Sequence, residues 1–191
     1  MFKRLMLGSA LALFFASPSF AQNPIEIGVD NAIVVDLVQE FKVDDVVLGE
    51  SRTDIGFSLP FSFWRFGFFV NENISIEPGI GFQLISIGDD GGTSYDFNGT
   101  VDILYNMPSN LYFHVGGAIF ATKIDLGGEL ESETLSQFGF GGGLGYRIPL
   151  IGDNVMARVG ARGLYVLKSE DDGLPASINV IGSFGLSVMT Q

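Results

Sequence analysis

The sequence contains no cysteine, one histidine (His114) and one tryptophan (Trp64). Without cysteine there is no disulfide framework, and the Cys/His sets of a structural zinc site cannot be assembled. Basic residues are also scarce: 10 Lys and Arg stand against 22 Asp and Glu, a formal net charge of −12. Phosphate contacts need a basic face, so this balance excludes nucleic acid as a partner. Beyond residue 21 there is no apolar run long enough for a membrane-spanning helix. Yet hydrophobic residues make up 47% of the chain and glycine 26 of its 191 residues. Such a composition calls for an environment other than water on part of the surface.

The first residues, MFKRLMLGSALALFFASPSFAQ, combine a basic start (Lys3, Arg4), an apolar stretch from Leu5 to Phe15 and a small-residue site at Ser19-Phe20-Ala21. This is the pattern of a secretory signal peptide over residues 1–21, leaving residues 22–191 as one exported domain. The apolar stretch is too short to span a bilayer. No cysteine follows it, which argues against a lipid-anchored protein. Loss of Lys3 and Arg4 takes the net charge to −14.

From Asn23 onward, segments of alternating residues are separated by turn signals. Short separators (71–73, 108–110, 151–154) alternate with longer acidic ones (89–93, 126–134, 169–177). One parity of each segment is apolar: Ile25, Ile27, Val29, Ile33, Val35 and Leu37 in the first, then Trp64, Phe66, Phe68 and Val70 near 58–70. The pattern continues near 74–87, 95–106, 111–122, 138–148, 155–167 and 178–188, giving eight predicted strands. The run 38–56 lacks clear alternation and competes as a first strand, but 25–37 has the better period. The predicted fold is all-β, an eight-stranded antiparallel up-and-down transmembrane barrel.

The charges decide which face points where. No apolar face carries a charged residue, while the opposite parity holds Glu26, Asp30, Arg65, Glu77, Asp102, Arg147, Arg158 and Arg162. A soluble ligand-binding barrel would show the reverse. A Lys or Arg on the lipid face at mid-bilayer costs about 2–4 kcal/mol, so the apolar face is predicted to meet lipid and the charged face to line the lumen. Four carboxylates and four guanidinium groups then suit a neutral ion-pair network, since buried charges are costly unless paired.

The glycine-rich stretch QFGFGGGLGYR (137–147) bears on the same question. Its glycines fall mainly on alternate residues, not at the spacing of a phosphate-binding loop, and no helical pattern follows. An eight-stranded barrel has an interior only just wide enough for its side chains. Glycines at lumen positions are therefore expected to make room for charged arms. Three-residue turns at 71–73 and 108–110 set Arg65 opposite Gly79, Glu77 opposite Gly67 and Asp102 opposite Gly116. Pairing Leu150 with Asp153 sets Gly145 opposite Arg158 and Gly141 opposite Arg162. Pro60 and Pro78 fall inside strands and predict irregularities there, because each removes a ladder donor.

Catalytic signals are few. His114 has lumen parity, and the residue two beyond it is Gly116, where a histidine–serine lipid deacylase would carry serine. No metal or cofactor motif occurs, so no cofactor is predicted, and the acidic loops (Asp89, Asp90, Glu129, Glu131, Glu133, Glu170, Asp171, Asp172) lack an EF-hand pattern.

The signal-like start, the eight alternating segments, GFFVNENISIEPGIGF, FGFGGGLGYRIPL and the closing SFGLSVMT together resemble the small eight-stranded outer-membrane barrels of Gram-negative bacteria, the OmpA-like or OmpX-like class. The resemblance implies an outer-membrane location, contact with outer-membrane lipids and the barrel-assembly machinery, and a monomer with short turns and both termini on the periplasmic side. Such barrels usually end on an aromatic residue, whereas this sequence ends VMTQ. Phe68, Tyr105, Phe113 and Tyr146 are expected to form an interfacial girdle near the short turns. The expected role is structural or surface-interacting, through loops 38–56, 88–95, 126–134 and 169–177 and an extracellular partner. A narrow pore and a lipid-modifying enzyme are the alternatives.

Overall fold

The computed structural model describes residues 24–39, 41–43, 46–49, 51–57, 63–87, 92–125, 133–152, 154–169 and 172–190. The predicted signal peptide lies outside them, as do Pro60 and the acidic loop residues Asp89, Asp90, Glu129, Glu131, Glu170 and Asp171.

The described residues form an all-β fold of eleven strands: β1 (Ile25–Val38), β2 (Phe41–Val43), β3 (Val46–Gly49), β4 (Arg52–Phe57), β5 (Phe63–Phe69), β6 (Ile74–Ile87), β7 (Gly92–Asn106), β8 (Leu111–Asp125), β9 (Glu133–Ile151), β10 (Val155–Val166) and β11 (Ser177–Met189). Sequential antiparallel pairing runs from β5 to β11, and β1 pairs with both β5 and β11, which closes the barrel. Both β4 and β5 lie against β1, on its later and earlier halves, so together they make one wall position. The wall therefore has eight strand positions, and the first strand is 25–38 rather than one within 38–56. β2 and β3 form a small hairpin of their own within the first long connection.

Local chemistry explains the short turns. At 71–73, the Val70 N–H donates to the Ile74 carbonyl (2.8 Å), and the Asn71 carboxamide oxygen accepts from the N–H groups of Asn73 and Ile74 (2.9 Å each). At 108–110, the Met107 N–H donates to the Leu111 carbonyl, and Asn110 adopts a left-handed φ of 65°, a region asparagine tolerates better than most residues. These turns produce the expected pairings of Arg65 with Gly79 and Asp102 with Gly116.

One expectation needs correction. Across the third short turn, Arg158 lies opposite Arg147, Gly160 opposite Gly145 and Arg162 opposite Gly143, a slip of two residues from the predicted register. The turn closes at Ile151 and Val155, three positions from the predicted register, and the irregularity at Val155/Met156, where the ladder passes from Ile151 to Pro149, takes back one. A slip of two preserves every side chain's face. At Pro78 the β5–β6 ladder is interrupted, as expected of a missing donor: it pairs Arg65 with Gly79 and Phe68 with Ile76 and skips the positions between without changing register, while on its other side Pro78 lies opposite Val101.

The second wall position is the irregular one. Between the two ladders, β1 advances from Asp30 to Ile33 while the neighbouring strand runs from Phe63 back to Phe57, twice the distance. Among the described residues β4 bonds only to β1, and no ladder joins it to β6.

Burial in this fold is inverted. The apolar parity is the outer surface, with Val115 62%, Phe138 60% and Ile103 55% exposed, and the band continues around the whole wall. A contiguous apolar surface far above the few hundred Å² typical of water-soluble monomers needs a lipid solvent. Tyr105, Phe113 and Tyr146 sit on this surface near the short turns, with Tyr105 paired to Phe113 and Tyr146 to Leu111. Glu26, Asp30, Arg65, Glu77, Asp102, Arg147 and Arg158 are buried inside.

Candidate functional site

Six of the eight singled-out charges converge on the short-turn half of the lumen. They come from strands far apart around the wall: Glu26 and Asp30 from β1, Arg65 from β5, Glu77 from β6, Arg147 from β9 and Arg158 from β10. Glu26 Oε2 accepts from Nη2 (2.8 Å) and Nε (3.1 Å) of Arg147, and its Oε1 accepts from Arg158 Nη1 at 3.2 Å. Arg158 Nη1 also donates to Glu77 Oε2 at 2.6 Å, and Arg65 Nη1 reaches the same oxygen at 3.3 Å. Arg65 turns its Nε–Nη2 edge onto Asp30, bonding Oδ2 through Nε and Oδ1 through Nη2 (2.8 Å). Three carboxylates and three guanidinium groups make this cluster electrically balanced. Such mutual satisfaction is what makes buried ions tolerable.

Tyr112 completes the cluster. Its ring lies between two guanidinium groups, with Arg158 Cζ 4.5 Å and Arg147 Cζ 4.7 Å from the centroid, within cation–π range. Arg158 Nε donates to the Tyr112 hydroxyl at 3.4 Å, and Arg147 Nη1 donates to Asn106 Oδ1 at 2.6 Å. Neither Tyr112 nor Asn106 was among the sequence candidates. Both have lumen parity, and an aromatic residue at a lumen position facing Gly145 is the signal that marks Tyr112.

The remaining two charges stand apart. Arg162 Nη1 donates to Asp102 Oδ2 at 2.9 Å, and His114 Nδ1 lies 3.8 Å from Asp102 Oδ1. This pair sits beside a cavity of about 370 Å³ whose wall includes Arg65, Glu77 and Arg158 from the cluster. The lumen is thus divided into a packed charged part and an open part.

The glycines serve this packing in a broader way than the sequence predicts. Gly28 does make room for an arginine, since a Cβ there would stand 2.6 Å from Arg65 Nη2. Within the glycine-rich stretch the neighbours are different. A Cβ on Gly145 would strike the Tyr112 ring, one on Gly143 would lie 2.6 Å from His114 Nε2, and one on Gly141 would meet the Gly163 carbonyl. The bare backbone accommodates rings and close strand approach, and Gly185, opposite Arg158 in the ladder, makes room for Asp30.

No protein-family model matches the chain, and no curated protein sequence matches it. Among solved structures it is similar to Ail, the attachment invasion locus protein of Yersinia pestis, at 15% identity over 88% of this chain and 99% of that one, with a TM-score of 0.51. It is similar also to neisserial surface protein A, at 16% identity over 86% and 96% of the two chains, with a TM-score of 0.50. At these identities the likeness is one of fold. Taken with the lipid-facing apolar surface and the charged interior, it makes this chain a small eight-stranded outer-membrane β-barrel.

Proposed function

We propose that this outer-membrane barrel is a non-conducting scaffold, closed by its charged cluster, that presents acidic loops for contact with a partner outside the cell. The observation that carries the reading is the balanced six-group cluster: every guanidinium bonds a carboxylate across the lumen, with Tyr112 wedged between two of them. An ion path would have to break several of these charge-assisted bonds at once. The loop side of the reading is supported by the way one long loop is held. Asp172 accepts from the Ser136 N–H (2.8 Å) and the Ser169 hydroxyl (3.0 Å), and Gln137 Nε2 donates to the carbonyls of Leu167 (3.1 Å) and Pro175 (2.9 Å). A loop anchored to the wall offers a defined surface at lower ordering cost on binding. Against a lipid-modifying activity stands His114, which faces Asp102 inside the lumen and is followed two residues on by Gly116.

Planar-bilayer recording of the purified barrel tests this reading. The wild type is expected to show no steady conductance, and Arg158→Ala to admit ions, with heat-modifiable migration checking that the variant has folded. Steady wild-type conductance, altered by Glu77→Gln, would establish the narrow-pore alternative instead.

A further inference from the structure

Two of the inward arginines, Arg65 and Arg162, present the same chemical edge to different surroundings. Arg65 Nε and Nη2 are both taken by Asp30, the side-on fork that fits a carboxylate. Arg162 is held only through Nη1, by Asp102 Oδ2 at 2.9 Å. Its Nε and Nη2 are buried and have no hydrogen-bond partner, and its side chain is 11% exposed. Unmet buried donors of this kind are rare and costly. Arg162 lines the 370 Å³ cavity, within the roughly 300–1,000 Å³ of small-molecule sites. Near it the wall also carries apolar side chains at lumen positions, among them Val34, Phe63, Phe120, Leu164 and Ile181. Phe82, 55% exposed on the outer face, belongs to the same cavity wall, on the strand that lacks a ladder to β4.

We propose that this cavity is a binding site for an amphiphile with a carboxyl head and an apolar tail, such as a medium-chain fatty acid. The head occupies the Nε–Nη2 fork of Arg162, as Asp30 occupies that of Arg65. The tail lies along Phe63, Phe120, Leu164 and Ile181. The neighbouring Asp102 Oδ1 is also buried without a partner and accepts the proton of the acid form. The cluster below forms the floor and takes no part in binding, so the site is independent of whether the barrel conducts.

The experiment is a titration of the full barrel in detergent with dodecanoic acid labelled with ¹³C at its carboxyl, followed by NMR. A saturable bound resonance, distinct from that of micellar acid, is expected. Arg162→Gln is expected to weaken binding roughly tenfold or more, the loss of a charge-assisted fork, whereas Arg52→Gln, on an exposed ion pair, leaves it unchanged. Val34→Phe, which fills the tail space and leaves Arg162 in place, is expected to abolish binding while the barrel keeps its heat-modifiable migration. Absence of a bound resonance in the wild type would overturn the site, as would undiminished binding by a folded Arg162→Gln. Equal competition by dodecanol would overturn the carboxyl assignment.

Discussion

The packed half of the lumen and the open half beside it are built from the same residue types and reach opposite outcomes. In the first, Glu26, Asp30, Glu77, Arg65, Arg147 and Arg158 form a mutually paired cluster around Tyr112. In the second, Arg162 and Asp102 share one bond, and unpaired atoms of both line an open cavity. The difference lies in what fills the space between charges. Tyr112 and the bare backbone opposite it let guanidinium groups stack and fork, while the open half, lined by Asn98, Thr100, Phe120 and Leu164 among others, holds no ring between its charges and leaves a cavity. One barrel therefore combines a rigid floor with a chamber above it, and the two halves should respond differently to the same kind of change.

The largest effect is expected at Glu26, 1% exposed and bonded to two arginines. Glu26→Ala leaves Arg147 buried without a carboxylate and Arg158 with Glu77 alone, which should cost about 3–5 kcal/mol, read as a marked fall in the temperature at which the unboiled gel band shifts. Asp102→Asn in the open half should cost clearly less, because the amide oxygen can still accept from Arg162 Nη1. An equal loss from both would erase the distinction between the halves. Next comes the glycine packing. Gly116→Ala drives a methyl group into the Val101 carbonyl and the Asp102 carboxylate, for an expected loss of about 1–3 kcal/mol, whereas Gly182→Ala meets nothing within 4 Å and should be near neutral. The thermal midpoints of the two variants check this.

The smallest effect concerns the loop beyond the wall. Hydrogen bonds from the Ser136 backbone and then the Ser169 side chain hold the Asp172 carboxyl below its ordinary pKa. A depressed pKa means that the anchor is fully present above the ordinary carboxylate range and is lost as pH falls through the lowered folded value. Amide exchange at Ser136 should therefore be protected at neutral pH, accelerate relative to its intrinsic rate in strong acid, and be fast at all pH values in Asp172→Ala, which has no acceptor. Protection unchanged in that variant would remove the anchor from the account.

Much of this architecture is legible in the residues alone, for physical reasons that also mark its limits. Strand identity and facing follow from period two and from the cost of charge in lipid, so the inward placement of Arg65 or Arg158 needs no coordinates. Register is legible where a turn has one good solution, as at Asn71 and Asn110. It failed at the third short turn because the turn closes at Ile151 and Val155 and not at the predicted pair, and the irregularity at Val155/Met156 takes back only one of the three positions. Pro78 shows the converse: a missing donor that the ladder absorbs without slipping. The small β2–β3 hairpin has too few residues to show a period. Which arginine meets which carboxylate could not be read either, because Glu26 and Arg147 lie 121 residues apart on strands that do not pair, and only the closed geometry brings them together. Tyr112 is not legible from charge, because its part in the cluster rests on a neutral ring set between two guanidinium groups.

The account rests on the orientation of the two faces, lipid outside and charge within. The most direct test is a comparison of boiled and unboiled protein from an isolated outer-membrane fraction on one gel. A closed barrel resists detergent until heated, so the protein should be found in that fraction and its unboiled band should migrate at a different position from the boiled one. Recovery in the soluble periplasmic fraction, with identical migration before and after boiling, would mean that the faces are reversed and that the paired lumen does not exist.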